Sequence, residues 1–141
     1  MSNLPIRCLL GMLGTDVHSK GIRTLARMLR DLGVEVIYLG EHNTAEGMVR
    51  AAIAEDADVV GLSFSTSTYL HYTRDLMQKM QDAGLADVPV MLGGLIHADD
   101  APALREMGVK GIFGPGSSLP EIISFLQGAT GKMLPGAAPA L

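Results

Sequence analysis

The chain reads as an α/β protein built on one parallel sheet, and three observations predict it. Five short apolar stretches alternate with five stretches whose apolar residues recur at helical spacing. The apolar stretches are hydrophobic on both faces, as strands covered by helices on each side are. The connections between them are short, as in layered α/β units.

The elements follow in order. "IRCLLGML" is the first strand. "SKGIRTLARMLRDLG" is a helix carrying Ile22, Leu25, Ala26, Leu29 and Leu32 on one side, and Gly33 is placed to end it in a left-handed cap. "VEVIYLG" is the second strand. Thr44 is suited to cap the next helix, "AEGMVRAAIAEDA", whose apolar face holds Val49, Ala52 and Ile53. "DVVGLSF" is the third strand. The helix after it, from about Tyr69 to Ala83, spaces Tyr72, Leu76 and Met80 four apart. "VPVMLGG" is the fourth strand, and Asp99 or Asp100 is positioned to cap a short helix ending near Met107. "GIFG" is the fifth strand, and "LPEIISFLQ" the last helix, with Pro120 in its first turn. With right-handed crossovers this is a doubly wound, flavodoxin-like five-stranded parallel sheet of order 2-1-3-4-5, with helices on both faces. It forms one domain, residues 1–130. Residues 131–141 are rich in Gly, Pro and Ala and are expected to be a flexible tail.

Composition narrows the function. No apolar run approaches the roughly 20 residues that span a bilayer. The N-terminus lacks the charged start and long apolar middle of a signal peptide, so a cytoplasmic, membrane-free protein is expected. The 11 basic and 15 acidic residues leave a net charge of −4, which argues against nucleic acid as a partner. Arg23, Arg27 and Arg30 share one helix face, read as a solvated one. The single cysteine, Cys8, sits in a strand, which points to inert burial.

In such sheets ligands bind beyond the carboxyl ends of the strands. Five loops build that face: "GTDVHSKG", "GEHN", "SFSTST", "GGLIHADD" and "GPGSS". In the first, Asp16 lies two residues before His18 and can hold one ring nitrogen by a hydrogen bond, which fixes the tautomer and aims the other nitrogen at a partner such as a metal. Gly21 would let a bulky group approach the backbone. One histidine and one aspartate do not make a conventional zinc site, so a metal here would bring its other ligands with it. After the third strand, Ser63, Ser65, Thr66, Ser67 and Thr68 offer more hydroxyls than helix capping needs. Gly93 and Gly94 serve either a tight turn or clearance for a bulky ligand. "GPGSS" could be only a turn, or could hold a phosphate at a helix N-terminus. Neither G-x-x-x-x-G-K-[ST] nor G-x-G-x-x-G is present, so a nucleotide site is not indicated.

Taken together, these loops resemble the cobalamin (vitamin B12)-binding domains of the methylmalonyl-CoA mutase family. Asp16, His18 and Gly21 match the D-x-H-x-x-G motif; Ser63, Gly93 with Gly94, and "IFGPG" match the stretches after strands three, four and five. "GEHNTAEGMVRAA" is similar to the family's stretch after strand two, and the likeness spans roughly residues 5–128. The resemblance implies base-off cofactor binding, with His18 as the lower axial ligand of cobalt and Asp16 hydrogen-bonded to it. The displaced nucleotide tail would enter a slot between sheet and helices, where Ser63 meets the benzimidazole, Gly93 and Gly94 make room, and Gly114 and Gly116 lie near the far end. Three positions depart from the pattern. Met12 stands where the motif usually has lysine, which would weaken charge tuning of the His–Asp pair. Ser65 puts a hydroxyl where an apolar contact to the tail is usual. Val17 stands where close relatives carry glycine. None of the three removes the cobalt ligand.

The resemblance further implies an isomerase, the small subunit of an adenosylcobalamin-dependent acyl-CoA mutase, active only with a large acyl-CoA-binding subunit as a heterodimer or heterotetramer. The large subunit would choose the acyl-CoA. Two other readings use the same residues. One is a corrinoid carrier for methyl transfer or a cobalamin-responsive regulator; these usually carry a helical bundle ahead of the domain, whereas strand one is expected here near residue 5. The other is a flavodoxin-like domain that only mediates assembly.

Overall fold

A computed structural model describes residues 4–137 except Thr15, Val17 and Pro115. Five strands, β1 (Arg7–Gly11), β2 (Glu35–Tyr38), β3 (Val59–Phe64), β4 (Val90–Gly94) and β5 (Gly111–Phe113), pair in parallel in the order β2-β1-β3-β4-β5. Between and after them run α1 (Lys20–Asp31), α2 (Ala45–Ala54), α3 (Tyr69–Asp82), α4 (Ala101–Glu106) and α5 (Leu119–Thr130). The expected doubly wound sheet is present.

Strand alternation divides the core into two layers, because successive side chains leave opposite faces of the sheet. Leu9, Val60, Leu62, Phe64, Val90 and Leu92 pack with Met48, Leu76, Met80 and Leu104 of α2, α3 and α4. Cys8, Leu10, Met12, Val59 and Met91 face the other way, onto Ile22, Ala26 and Leu29 of α1 and Leu126 of α5. Burial pushes the Cys8 thiol up to about 12, so it stays protonated and unreactive.

The caps follow the sequence in part. Thr44 accepts from the Gly47 N–H at 3.0 Å, Gly33 has φ +95°, and Pro120 lies in the first turn of α5. Asp99 and Asp100 do not cap as expected. His97 Nδ1 accepts from the Asp99 N–H at 3.2 Å and opens a short 3-10 turn, while Asp100 receives the Tyr69 hydroxyl. The buried phenol finds its partner there, which ties the start of α3 to the loop after β4. Nor does a hydroxyl of "SFSTST" cap α3. Thr68 occupies the cap position but bonds Thr66, and Ser65 is engaged elsewhere.

The expected tail, residues 131–141, needs correction over 131–137; residues 138–141 lie outside the described residues. Gly131 closes α5 with φ +70°. Lys132 then reaches Asp58 at 2.9 Å, Leu134 is only 1% exposed, and the Gly136 N–H bonds the Leu32 carbonyl at 3.0 Å. The apolar Leu134 and the Lys132–Asp58 pair give this segment a reason to pack that a composition of Gly, Pro and Ala conceals. Among the described residues no helix is long and apolar enough to cross a membrane.

Candidate functional site

The carboxyl ends of the strands carry the loops that the sequence singles out. In the β1–α1 loop, the Asp16 side chain is only 2% exposed, whereas that of His18 is 72% exposed. Asp16 Oδ1 accepts from the His18 N–H at 3.0 Å and from His18 Nδ1 at 3.1 Å. From just beyond β3, the Ser65 N–H donates to Oδ2 and the Ser65 hydroxyl to Oδ1, both at 2.6 Å. Burial alone would raise this carboxyl. The bonds from Ser65 and His18 favour the charged form and together hold it at about 2. An ionised Asp16 can only accept, so Nδ1 is the donor in this contact, and in the neutral ring the lone pair is on Nε2, turned away from the aspartate.

Ser65 therefore differs from its expected place. Its hydroxyl is spent on Asp16 and does not line the space between sheet and helices. Met12 is buried in the core beneath the loop and offers no donor to Asp16; Ser65 supplies two. Val17 lies outside the described residues.

Beside the pair, a cavity of about 210 Å³ opens between the sheet and helices α1 and α5. Strand parity explains it. Leu10, Gly61, Ser63, Met91, Gly93 and Phe113 all point to this face, and two are glycines and one a serine, so the layer is thin there. Gly21, Ser63, Gly93, Gly94 and Gly114, which the sequence singles out, line the cavity. A Cβ on Gly21 would meet nothing within 4 Å; one on Gly93 or Gly114 would meet only a backbone oxygen, at 3.5 and 3.4 Å. Gly94 has another reason to be glycine: at φ +102° its Cβ would stand 2.1 Å from the Phe64 carbonyl oxygen. Gly116 does not reach the cavity; its φ of +90° accounts for the glycine. Ser117 lines the cavity instead, and Ile22, Leu25 and Ile122 close it from the helices. Sequence reasoning passed over Gly61, Met91 and Phe113; counting by twos from Ser63 and Gly93 finds the first two, and Phe113 follows only from its pairing with Gly93.

The arrangement offers one oriented imidazole nitrogen and, three residues beyond it at Gly21, an apolar slot with two hydroxyls, Ser63 and Ser117. Among the described residues no three His, Cys, Asp or Glu side chains stand together to hold a metal ion.

Comparison with known proteins bears on this geometry. Residues 6–123 match the B12 binding domain model. The chain is 40% identical over 110 residues to the 2-hydroxyisobutanoyl-CoA mutase small subunit of Aquincola tertiaricarbonis, covering 78% of this chain and 81% of that protein. It is 39% identical over 119 residues to the pivalyl-CoA mutase small subunit of Xanthobacter autotrophicus, covering 84% and 80%. Among solved structures, a cobalamin-binding protein from Desulfitobacterium hafniense superposes with a TM-score of 0.69 at 22% identity, which shows a shared fold. The match covers 77% of this chain and spans about half, 52%, of that one.

Proposed function

The chain belongs to the B12 binding domain family, and from that premise we propose that it is the cobalamin-binding small subunit of an adenosylcobalamin-dependent acyl-CoA mutase. The observation that carries the reading is the Asp16–His18 pair, with Nδ1 of the ring on the buried carboxylate, standing beside an apolar slot.

The residues present fit the cofactor. A corrin supplies cobalt with its equatorial ligands, so one oriented imidazole is the donor set the protein must add. His18 Nε2 would hold the cobalt. Asp16 would hold the proton at Nδ1 and keep the ring oriented, and Ser65 would hold Asp16. The slot would take the nucleotide tail, with the Ser63 hydroxyl toward its base and Gly21, Gly93 and Gly114 leaving the room that a Cβ would occupy. Leu10, Ile22, Met91 and Phe113 would keep water from the buried base. When bound, adenosylcobalamin supplies radical chemistry for a carbon-skeleton rearrangement, while the protein supplies binding and electrostatics.

The two mutase relatives are named small subunits, and this chain covers four-fifths of each. That supports a separate large subunit here, which would bind and select the acyl-CoA in a heterodimer or heterotetramer.

The test is direct. The purified chain is mixed with hydroxocobalamin or adenosylcobalamin, freed of excess by gel filtration, and its visible spectrum compared with that of His18→Ala. The reading expects a retained chromophore whose spectrum changes in the variant. An identical spectrum in His18→Ala would remove the axial ligand from the proposal. Absence of a chromophore, both alone and with the large subunit, would remove the cofactor.

A further inference from the structure

Ser65 is half-buried just beyond β3 and turns both of its donors across to a loop 49 residues earlier in the chain. A carboxylate held by one bond can rotate about it. Asp16 is held by two from the same residue, one on each oxygen, at 2.6 Å each. That fixes its plane, and with it the direction in which Oδ1 meets His18 Nδ1 at 3.1 Å. The His18 N–H, at 3.0 Å, is a donor from within the same loop, two residues away. Among the described residues, only Ser65 references the carboxylate to the sheet. A hydroxyl also suits this place better than a second fixed N–H, because its proton rotates to meet the acceptor.

We propose that Ser65 is a positioning residue: its hydroxyl and N–H hold the Asp16 carboxylate in the one orientation that keeps the His18 proton on Nδ1 and leaves Nε2 as the free lone pair. The Asp16–His18 pair is thus set before any cofactor arrives, and little ordering of it remains to be done on binding. The consequence for cobalt rests on the function proposed above; the tautomer itself does not.

The experiment uses the full chain, cofactor-free and with ¹⁵N-labelled histidine, at about pH 8.5, well above the ordinary imidazole value. Long-range ¹H–¹⁵N correlations report which ring nitrogen carries the proton, and His18→Ala identifies the signal. The expected result is an Nδ1–H tautomer in the parent chain. Ser65→Ala should move the population to the Nε2–H form favoured by solvated histidine, and Ser65→Thr, which restores a hydroxyl, should recover Nδ1–H. Hydroxocobalamin retention should fall about tenfold in Ser65→Ala, as for other groups that orient a metal ligand, and recover in Ser65→Thr. An Nδ1–H tautomer unchanged in Ser65→Ala would overturn the proposal, as would a parent chain with its proton on Nε2. A tautomer that depends on Ser65 in a protein that binds no corrinoid would overturn the proposed function and leave this inference standing.

Discussion

At the scale of single residues, Asp16 shows how a buried charge is tolerated. Its side chain is 2% exposed, yet hydrogen bonds from Ser65 and His18 favour the ionised form and hold it at about 2, against an ordinary 3.8. The sign follows from linkage. A carboxyl depressed in the folded state contributes stability that is fully present above its ordinary value and lost as pH falls from about 4 towards 2. The contribution is about 2 kcal/mol. Urea unfolding of Asp16→Asn should therefore show a deficit of that size near pH 6 that closes as pH approaches 2; a deficit independent of pH would place the effect in packing. The same variant should weaken corrinoid binding by about 10- to 100-fold, read by titration of the visible band. Reading "DVH" and "SFS" in the sequence finds both members of the contact without finding the contact, because Ser65 and Asp16 meet only when β3 lies beside β1.

At the scale of the element, the end of β4 carries two glycines with different reasons. Gly93 faces the slot, and its Cβ would make ordinary contact at 3.5 Å. Gly94 is held at φ +102° with its Cβ against the Phe64 carbonyl. Gly93→Val should keep a near-parental Tm while corrinoid retention falls about tenfold or more, the equivalent of the 1–3 kcal/mol usual for overpacking. Gly94→Ala should do the reverse: a loss of about 2 kcal/mol or more of stability from backbone strain and overlap, read as a lowered Tm. Equal loss of Tm in both would mean that the slot is part of the packed core. The α1 face carrying Arg23, Arg27 and Arg30 is exposed, as read from its spacing, and Arg30 also bonds the Val36 carbonyl.

Across the whole molecule, the segment after α5 ties chain ends to the sheet. Leu134 completes the layer under α1 and α5, and Lys132 meets an Asp58 carboxylate that also accepts the Arg7 N–H at 2.8 Å. A chain ending at residue 130 should lose about 2–4 kcal/mol, the usual cost of removing a buried leucine, measured by urea unfolding against the full chain. An unchanged midpoint would show that residues 131–137 contribute nothing to the fold. The two core layers also have different work. The α2–α3–α4 side is filled with Leu, Val and Met, while the α1–α5 side leaves the slot open over Gly61, Ser63 and Gly93.

By itself the sequence determined the five alternating units, their order in the sheet and the loops that hold the candidate site. Those follow from periodicity, apolar strands and turn residues, which act over a few residues at a time. The first-loop motif was likewise legible, because Asp16 and His18 are near neighbours. Only the tertiary structure decided that Ser65 serves Asp16, that Gly116 stays out of the slot while Ser117 enters it, that Asp100 holds Tyr69, and that Leu134 packs. Each of these depends on where a side chain points once distant strands are side by side, and a carboxylate or a leucine takes whichever partner that packing brings within reach.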